Sequence, residues 1–221
     1  MATRFYLPST TGDTPISPAI SGGWGATGNL RRYNTSPIRS GTAFSNQRSA
    51  SISTTGYLFV SQFISPPLAS QTISGIASGV SGVIWSYAQN TGFNVSTAIC
   101  IRVVNAGGTG VGTVLPITSG TLAFTTTGTN HNIPATQTIS TVNVSPGYYL
   151  VIELGARHNT AVASASTTYR YGDSSTSGDL LYNQSGTVSG HNPWIEFKQD
   201  LLFATGVTTW NPLLSCGFFM D

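Results

Sequence analysis

Three histidines, each followed by asparagine (His131-Asn132, His158-Asn159 and His191-Asn192), are the side chains that could hold a soft metal. They lie far apart, with no cysteine or carboxylate at ligand spacing and no H-E-x-x-H, so they read as loop histidines beside turn-forming asparagines. No metal and no cofactor are expected. A glycosidase needs two carboxylates facing one sugar at about 5–5.5 or 6.5–9.5 Å. Glu153 and Glu196 are the strand carboxylates on offer, with Asp173 and Asp179 in a loop; a hydrogen-bonded structural role suits the two glutamates better. Ser81, in Gly79-Val-Ser-Gly-Val, lacks the G-x-S-x-G spacing of a nucleophile elbow. Gly108-Thr-Gly-Val-Gly112 is followed by Thr-Val-Leu-Pro rather than by Gly-Lys-Ser/Thr and a helix, so it reads as a hairpin turn and not a phosphate loop. The expectation is a chain without enzymatic activity. Trp24, Trp85, Trp194 and Trp210 could stack on sugar rings, although Trp85 and Trp194 sit inside strand patterns and fit a core better.

The elements that must carry these residues are set by an unusual composition. Of 221 residues only 7% are charged, whereas serine, threonine and glycine abound and 39% are hydrophobic. So few charges exclude a coiled coil or charged helical bundle, whose faces need Glu, Lys and Arg. A net charge of +2 with this much apolar content argues against charge-driven disorder. One lysine and eight arginines neutralise too few phosphates for a nucleic-acid binder. The longest apolar stretch, Tyr148 to Leu154, contains Glu153 and is far shorter than the ~20 residues that span a bilayer, so no membrane segment is expected. The opening residues have no apolar signal region, which predicts synthesis in a cytosol. Cys100 lies in a strand-like run and is expected as a buried free thiol rather than a partner of Cys216.

Three regions differ in character. Residues 1–50 hold Pro8, Pro15, Pro18 and Pro37, five of the eight arginines and the anchors Phe5, Tyr6, Trp24, Tyr33 and Phe44. Proline fixes φ and removes donors, so this stretch predicts an extended basic arm. Residues 51–204 alternate short β-branched and aromatic runs with turns: 56–64, 71–76, 80–88, 97–105, 111–117, 121–125, 138–144, 148–155, 167–171 and 194–203. Regular short strands with almost no helical periodicity predict an all-β fold, an antiparallel β-sandwich of jelly-roll type. Residues 205–221 form an apolar tail with Trp210, Leu213, Leu214, Phe218, Phe219 and Met220, costly to leave in water. Both ends are expected to be tied down, on their own sandwich or on neighbouring subunits. The charge is lopsided as well. Residues 1–50 carry five arginines and one aspartate, while residues 171–221 carry one lysine and five acids. That asymmetry is either a solvated accident or a means of head-to-tail contact between copies.

An ordered set of short motifs then stands out: Met1-Ala-Thr-Arg-Phe-Tyr-Leu-Pro-Ser9, Ser17-Pro-Ala19, Gly23-Trp24, Gln71-Thr-Ile-Ser-Gly75, Cys100-Ile-Arg-Val-Val104, Leu150-Val-Ile-Glu-Leu-Gly155, Tyr171-Gly-Asp173 and Asn192-Pro-Trp-Ile-Glu-Phe197. Together they resemble a family of small tailed-bacteriophage virion structural proteins across about residues 1–200. The resemblance implies a jelly-roll-like fold and a virion location, and it supplies no catalytic residues. The chain departs from it at Leu180-Leu-Tyr-Asn-Gln-Ser185, where the family tends to be acidic, and in the apolar tail. On this reading the protein is a capsid decoration or cement protein on the exterior of the head. Its partners would be the major capsid protein or other virion subunits, with further copies of itself. Arg4, Phe5, Tyr6, Trp24, Arg31 and Arg32 in the arm, with Trp210, Phe218 and Phe219 in the tail, would make those contacts. The alternative is a tail or fibre module that binds a host-surface glycan.

Overall fold

Runs such as VSTAICIRVV and YLVIELGARH alternate side chains to two faces and bury both, the pattern of central strands sandwiched between other layers. The computed structural model describes residues 2–25, 30–48, 55–74, 79–88, 94–120, 124, 126–160, 166–182 and 190–204, and the regular elements among them are all strands. In chain order they are β1 (Thr3–Tyr6), β2 (Arg32–Asn34), β3 (Ser45–Arg48), β4 (Gly56–Ile64), β5 (Gln71–Ile73), β6 (Gly79–Ala88), β7 (Val95–Val104), β8 (Gly110–Ser119), β9 (Thr129–Thr138), β10 (Val142–Val144), β11 (Tyr149–His158), β12 (Thr167–Tyr171) and β13 (Trp194–Phe197). The expected all-β sandwich is what forms.

Sheet B runs β2-β4-β11-β7-β8, antiparallel except for the parallel pair β2–β4. Sheet A is built on β6. One edge of β6 pairs with β9; the other pairs with β13 along Val80–Val83 and with β12 along Trp85–Ala88. β1 then adds to β13 and β3 to β12. A two-stranded ribbon, β10–β5, forms its own ladder and adds Ile73, Val142 and Val144 to the common core. Between the sheets sits one apolar core containing Phe5, Tyr33, Phe63, Ile84, Ile101, Leu150, Ile152, Tyr169, Tyr171 and Phe197. Its rings interlock: Tyr33 stacks on Phe63 at 5.0 Å, and Tyr171 meets Phe63 edge-on at 5.0 Å.

The N-terminal stretch is no free arm. Phe5, Leu7 and Tyr33 are fully buried, and β1, β2 and β3 supply edge strands to the two sheets. The two sheets are tied at this side through Tyr6, which pairs with Ser36 just after β2, while within sheet A the backbone N–H of Gly172, just after β12, donates to the carbonyl of Leu7, just after β1, at 2.8 Å. The physical reason is edge protection. A bare strand edge is a row of unpaired N–H and C=O groups, and this chain spends its own N-terminus covering it. The prolines fall between the short strands, where a missing donor costs nothing.

Sequence and structure differ at β9, where TNHNIPATQT gives no apolar alternation and carries Pro134 in its interior. Pairing with β6 slips between Val80 and Gly82, so residues 134–136 fall in the bulge and the proline needs no ladder bond. The Gly107-Gly108 segment is the β7–β8 turn: Asn105 Oδ1 accepts from the N–H groups of Gly107 and Thr109, and Gly108 takes φ +81°. Cys100 is free and buried, and burial pushes its thiol up to about 11.

A bulge in the β4–β11 pair places Gly155 where a Cβ would stand 2.1 Å from the carbonyl oxygen of Leu58 and 2.4 Å from the Trp24 ring. Gly155→Ala must push β4 or Trp24 away and is expected to cost about 2–3 kcal/mol. Urea denaturation with an unchanged m-value checks this.

Candidate functional site

Residues 16–24, between β1 and β2, cross the outer face of sheet B. Ile16 packs on Ile64, Val104 and Val151, and Trp24 packs edge-on against Tyr57 and Phe59. Beneath them lies Glu153, wholly buried on β11. A carboxylate there must be paired, because desolvating an isolated charge costs several kcal/mol. It is amply paired. It accepts from Trp24 Nε1 at 2.8 Å, Arg102 Nη2 at 2.9 Å, Gln62 Nε2 at 3.0 Å and the Ser21 backbone N–H at 3.0 Å. Arg102 also donates to the carbonyl of Ala19. Arg32 extends the network, with Nε on Gln62 Oε1 at 2.9 Å and Nη2 on the Pro18 carbonyl at 2.9 Å. Glu153 is thus the hub that pins residues 18–24 to sheet B.

A second cluster occupies the outer face of sheet A. Asp179 accepts from Arg4 Nη1 at 2.8 Å and from the Tyr6 hydroxyl at 3.2 Å, and it pairs with Arg39. Arg4 Nε reaches Glu196 at 2.9 Å, and its guanidinium lies 3.9 Å from the Trp194 ring centroid. Burial opposes the charge on Arg4, yet the bonds and fields of Glu196 and Asp179 prevail and raise its pKa. Arg39 is raised as well: against burial, its contacts with Tyr6 and Asp179 win. Nearby, buried Asp173 accepts from the N–H and hydroxyl of Ser40 at 2.6 Å and from the Thr42 N–H at 2.8 Å. The basic start and acidic end of the chain therefore meet within one molecule.

Asp179→Ala strips two part-exposed arginines of their shared partner. The expected loss is about 1–2 kcal/mol after allowing for solvent screening, and it should shrink as salt is raised. Thermal melts of both proteins at low and high salt measure it.

Of the residues expected to bind partners, Arg4 and Tyr6 are committed to the Asp179 cluster. Phe5 lies in the core against Phe197, and Trp24 on Glu153. Arg31 and Arg32 stand at an open cleft lined also by Thr11, Asp13 and Ser17. Trp210, Phe218 and Phe219 lie outside the described residues, as does the whole of 205–221. Sequence reading gave no role to Arg102, Gln62 or Arg39, and it weighed Asp179 only as a loop carboxylate. One signal was present: Glu153 is the lone charge inside an apolar run, and such a charge demands a partner.

With this geometry in view, comparison with known proteins adds little. No protein-family model matches the chain, and no curated protein does either. Among solved structures it is similar to that of the infectious bursal disease virus Gt strain, at TM-score 0.34 and 12% identity over 76% of this chain and 36% of that one. It is similar to the VP2 subviral particle of infectious bursal disease virus, at TM-score 0.27 and 9% identity over 71% of this chain and 37% of that one. A CocE/NonD family hydrolase from Staphylococcus aureus gives TM-score 0.30 and 8% identity over 90% of this chain and 34% of that one. The chain spans little more than a third of the length of each of these chains. Similarity at this level transfers neither activity nor partners.

The two glutamates considered as a catalytic pair lie on opposite outer faces. Their strand neighbours Ile152, Leu154, Ile195 and Phe197 point into the shared core, so the glutamates point away from it. Stacked sheets are about 10 Å apart, which leaves no single sugar that both could face. Among the described residues, no three His, Cys, Asp or Glu side chains gather as a metal site, and no helix is long and apolar enough to cross a membrane.

Proposed function

We propose that this chain is a non-enzymatic structural protein of a tailed-phage particle, added to the exterior of the head as a decoration protein after synthesis in the bacterial cytoplasm. One observation carries the reading: the N-terminal segment closes the sandwich of its own chain. A subunit whose N-terminal strands pair into its own sheets has no need to exchange arms with a neighbour, which suits a protein added to a finished shell rather than one that builds it. The ordered phage-virion motifs and the scarcity of charge agree with this, and both strand carboxylates are bound up in ion pairs. Attachment to the major capsid protein then falls to the 205–221 tail, through Trp210, Phe218 and Phe219, which follow directly on a chain docked by the Ala204 N–H to the Pro67 carbonyl at 2.9 Å.

Copy number tests the reading. Gels of purified virions should show the protein at a stoichiometry on the order of hundreds per particle, as the repeated sites of a symmetric shell require. A chain ending at Ala204 should fold but no longer bind particles. Undiminished binding would remove the tail from the proposal, and a stoichiometry of a few tens would favour the alternative, a tail or fibre module that binds host glycan. The arginine-lined cleft is the observation that favours that alternative.

A further inference from the structure

We infer that the open cleft beside β2 is a binding site for a carboxylated saccharide. The cleft measures about 580 Å3 and is lined by hydroxyl side chains, two arginines and one aspartate. Arg31 donates through Nη1 to Gln47, and Arg32 donates through Nε to Gln62 and through Nη2 to the Pro18 carbonyl. Among the described residues no carboxylate ion pair forms with either, whereas three arginines elsewhere, Arg4, Arg39 and Arg102, each hold one. Arg32 is moreover partly desolvated, and burial lowers its pKa with no acid to offset it. At this cleft two arginines face a single aspartate, each arginine keeps an N–H outside these bonds, and a carboxylate matches the planar fork of a guanidinium.

Size and charge narrow the class. The volume falls within the range of about 300–1,000 Å3 that suits organic ligands, well above what one inorganic ion fills. Asp13, exposed at the same cleft, repels a polyanion such as a phosphorylated chain but accepts bonds from sugar hydroxyls. Thr11 and Ser17 offer hydroxyls of the complementary sense, and Leu30, 37% exposed, gives an apolar surface for a ring face. The site stands independently of whether the protein sits on the head or the tail.

The test is titration of the full-length protein, followed by NMR or calorimetry at low ionic strength. The probes are a uronic-acid-containing tetrasaccharide, a neutral N-acetylglucosamine tetrasaccharide and inorganic phosphate. The acidic tetrasaccharide should bind with a dissociation constant below about 1 mM. Arg32→Gln should weaken it about tenfold, and so should Arg31→Gln, which leaves the Glu153 network intact. Asp13→Ala should weaken the saccharide too, while it would strengthen a bare anion. The inference fails if the neutral tetrasaccharide binds equally well, or if Asp13→Ala tightens the acidic one. It fails equally if the acidic tetrasaccharide leaves the protein unchanged at about 10 mM.

Discussion

Glu153→Ala should be among the most damaging single substitutions in this protein, with a loss of about 3–5 kcal/mol of folding free energy. The carboxylate is fully buried, and its removal leaves the Arg102 guanidinium, whose side chain is only 12% exposed, without a counter-charge. Trp24 Nε1, Gln62 Nε2 and the Ser21 N–H lose their acceptor at the same stroke. Each orphaned buried donor costs about 1–3 kcal/mol unless water reaches it. The segment over sheet B would detach to let water in, and Trp24 would leave Tyr57 and Phe59. Arg102→Met should cost less, because Glu153 keeps three other donors. Denaturant titration orders the two variants. A red-shifted tryptophan emission and faster proteolysis within residues 14–25 would mark the detachment. A loss under about 1 kcal/mol for Glu153→Ala would mean that the network is ornamental.

The second large effect is acid sensitivity centred on His131. Its ring is 4% exposed, lies 4.5 Å from the Phe124 ring, and bonds through Nε2 to the Thr129 hydroxyl at 2.8 Å. Burial pushes it from 6.5 down to about 4, partly offset by a bond with the Ser86 backbone. In the unfolded chain the imidazole takes up a proton as pH falls through 6.5; in the folded chain it resists until about pH 4. Between those values the unfolded state binds more protons, so stability falls as pH falls and levels off below the folded value. At 1.36 kcal/mol per unit the whole window is worth about 3 kcal/mol. His158, also buried and lowered by burial, acts in the same direction. Urea midpoints at pH 7, 5.5 and 4 should therefore decline for the natural protein and decline much less for His131→Phe. Parallel declines would assign the acid sensitivity to other groups.

Much of the sandwich was readable along the chain. Strands β4, β6, β7, β11 and β12 are aromatic or β-branched runs ended by Gly, Pro or Asn, and they lie where those runs predict. Trp194 was expected in the core and is buried at 4% exposure on the outer face of sheet A under Arg4; Trp85, expected there too, packs partly buried in the same cluster. What escaped were β1, β2, β3 and β9. The first three are three or four residues long, too short for alternation to register, and β9 is polar with a proline in its bulge. Such strands exist because a neighbour offers an edge, and no local signal encodes a neighbour.

The amino-acid order alone determined that the chain is all-β, nearly uncharged and turn-rich, because strand period, turn residues and composition are local properties. Only the tertiary structure decided where the basic first fifty residues go. Arg4 meets Glu196 across 192 positions of sequence and Asp179 across 175, and Trp24 meets Glu153 across 129. An excess of positive charge at one end and of negative charge at the other is equally compatible with contact between copies and with contact inside one. The choice falls to the fold, which buries Phe5 and Tyr33 between its own sheets and so brings their charged neighbours within reach of the acids of the same chain.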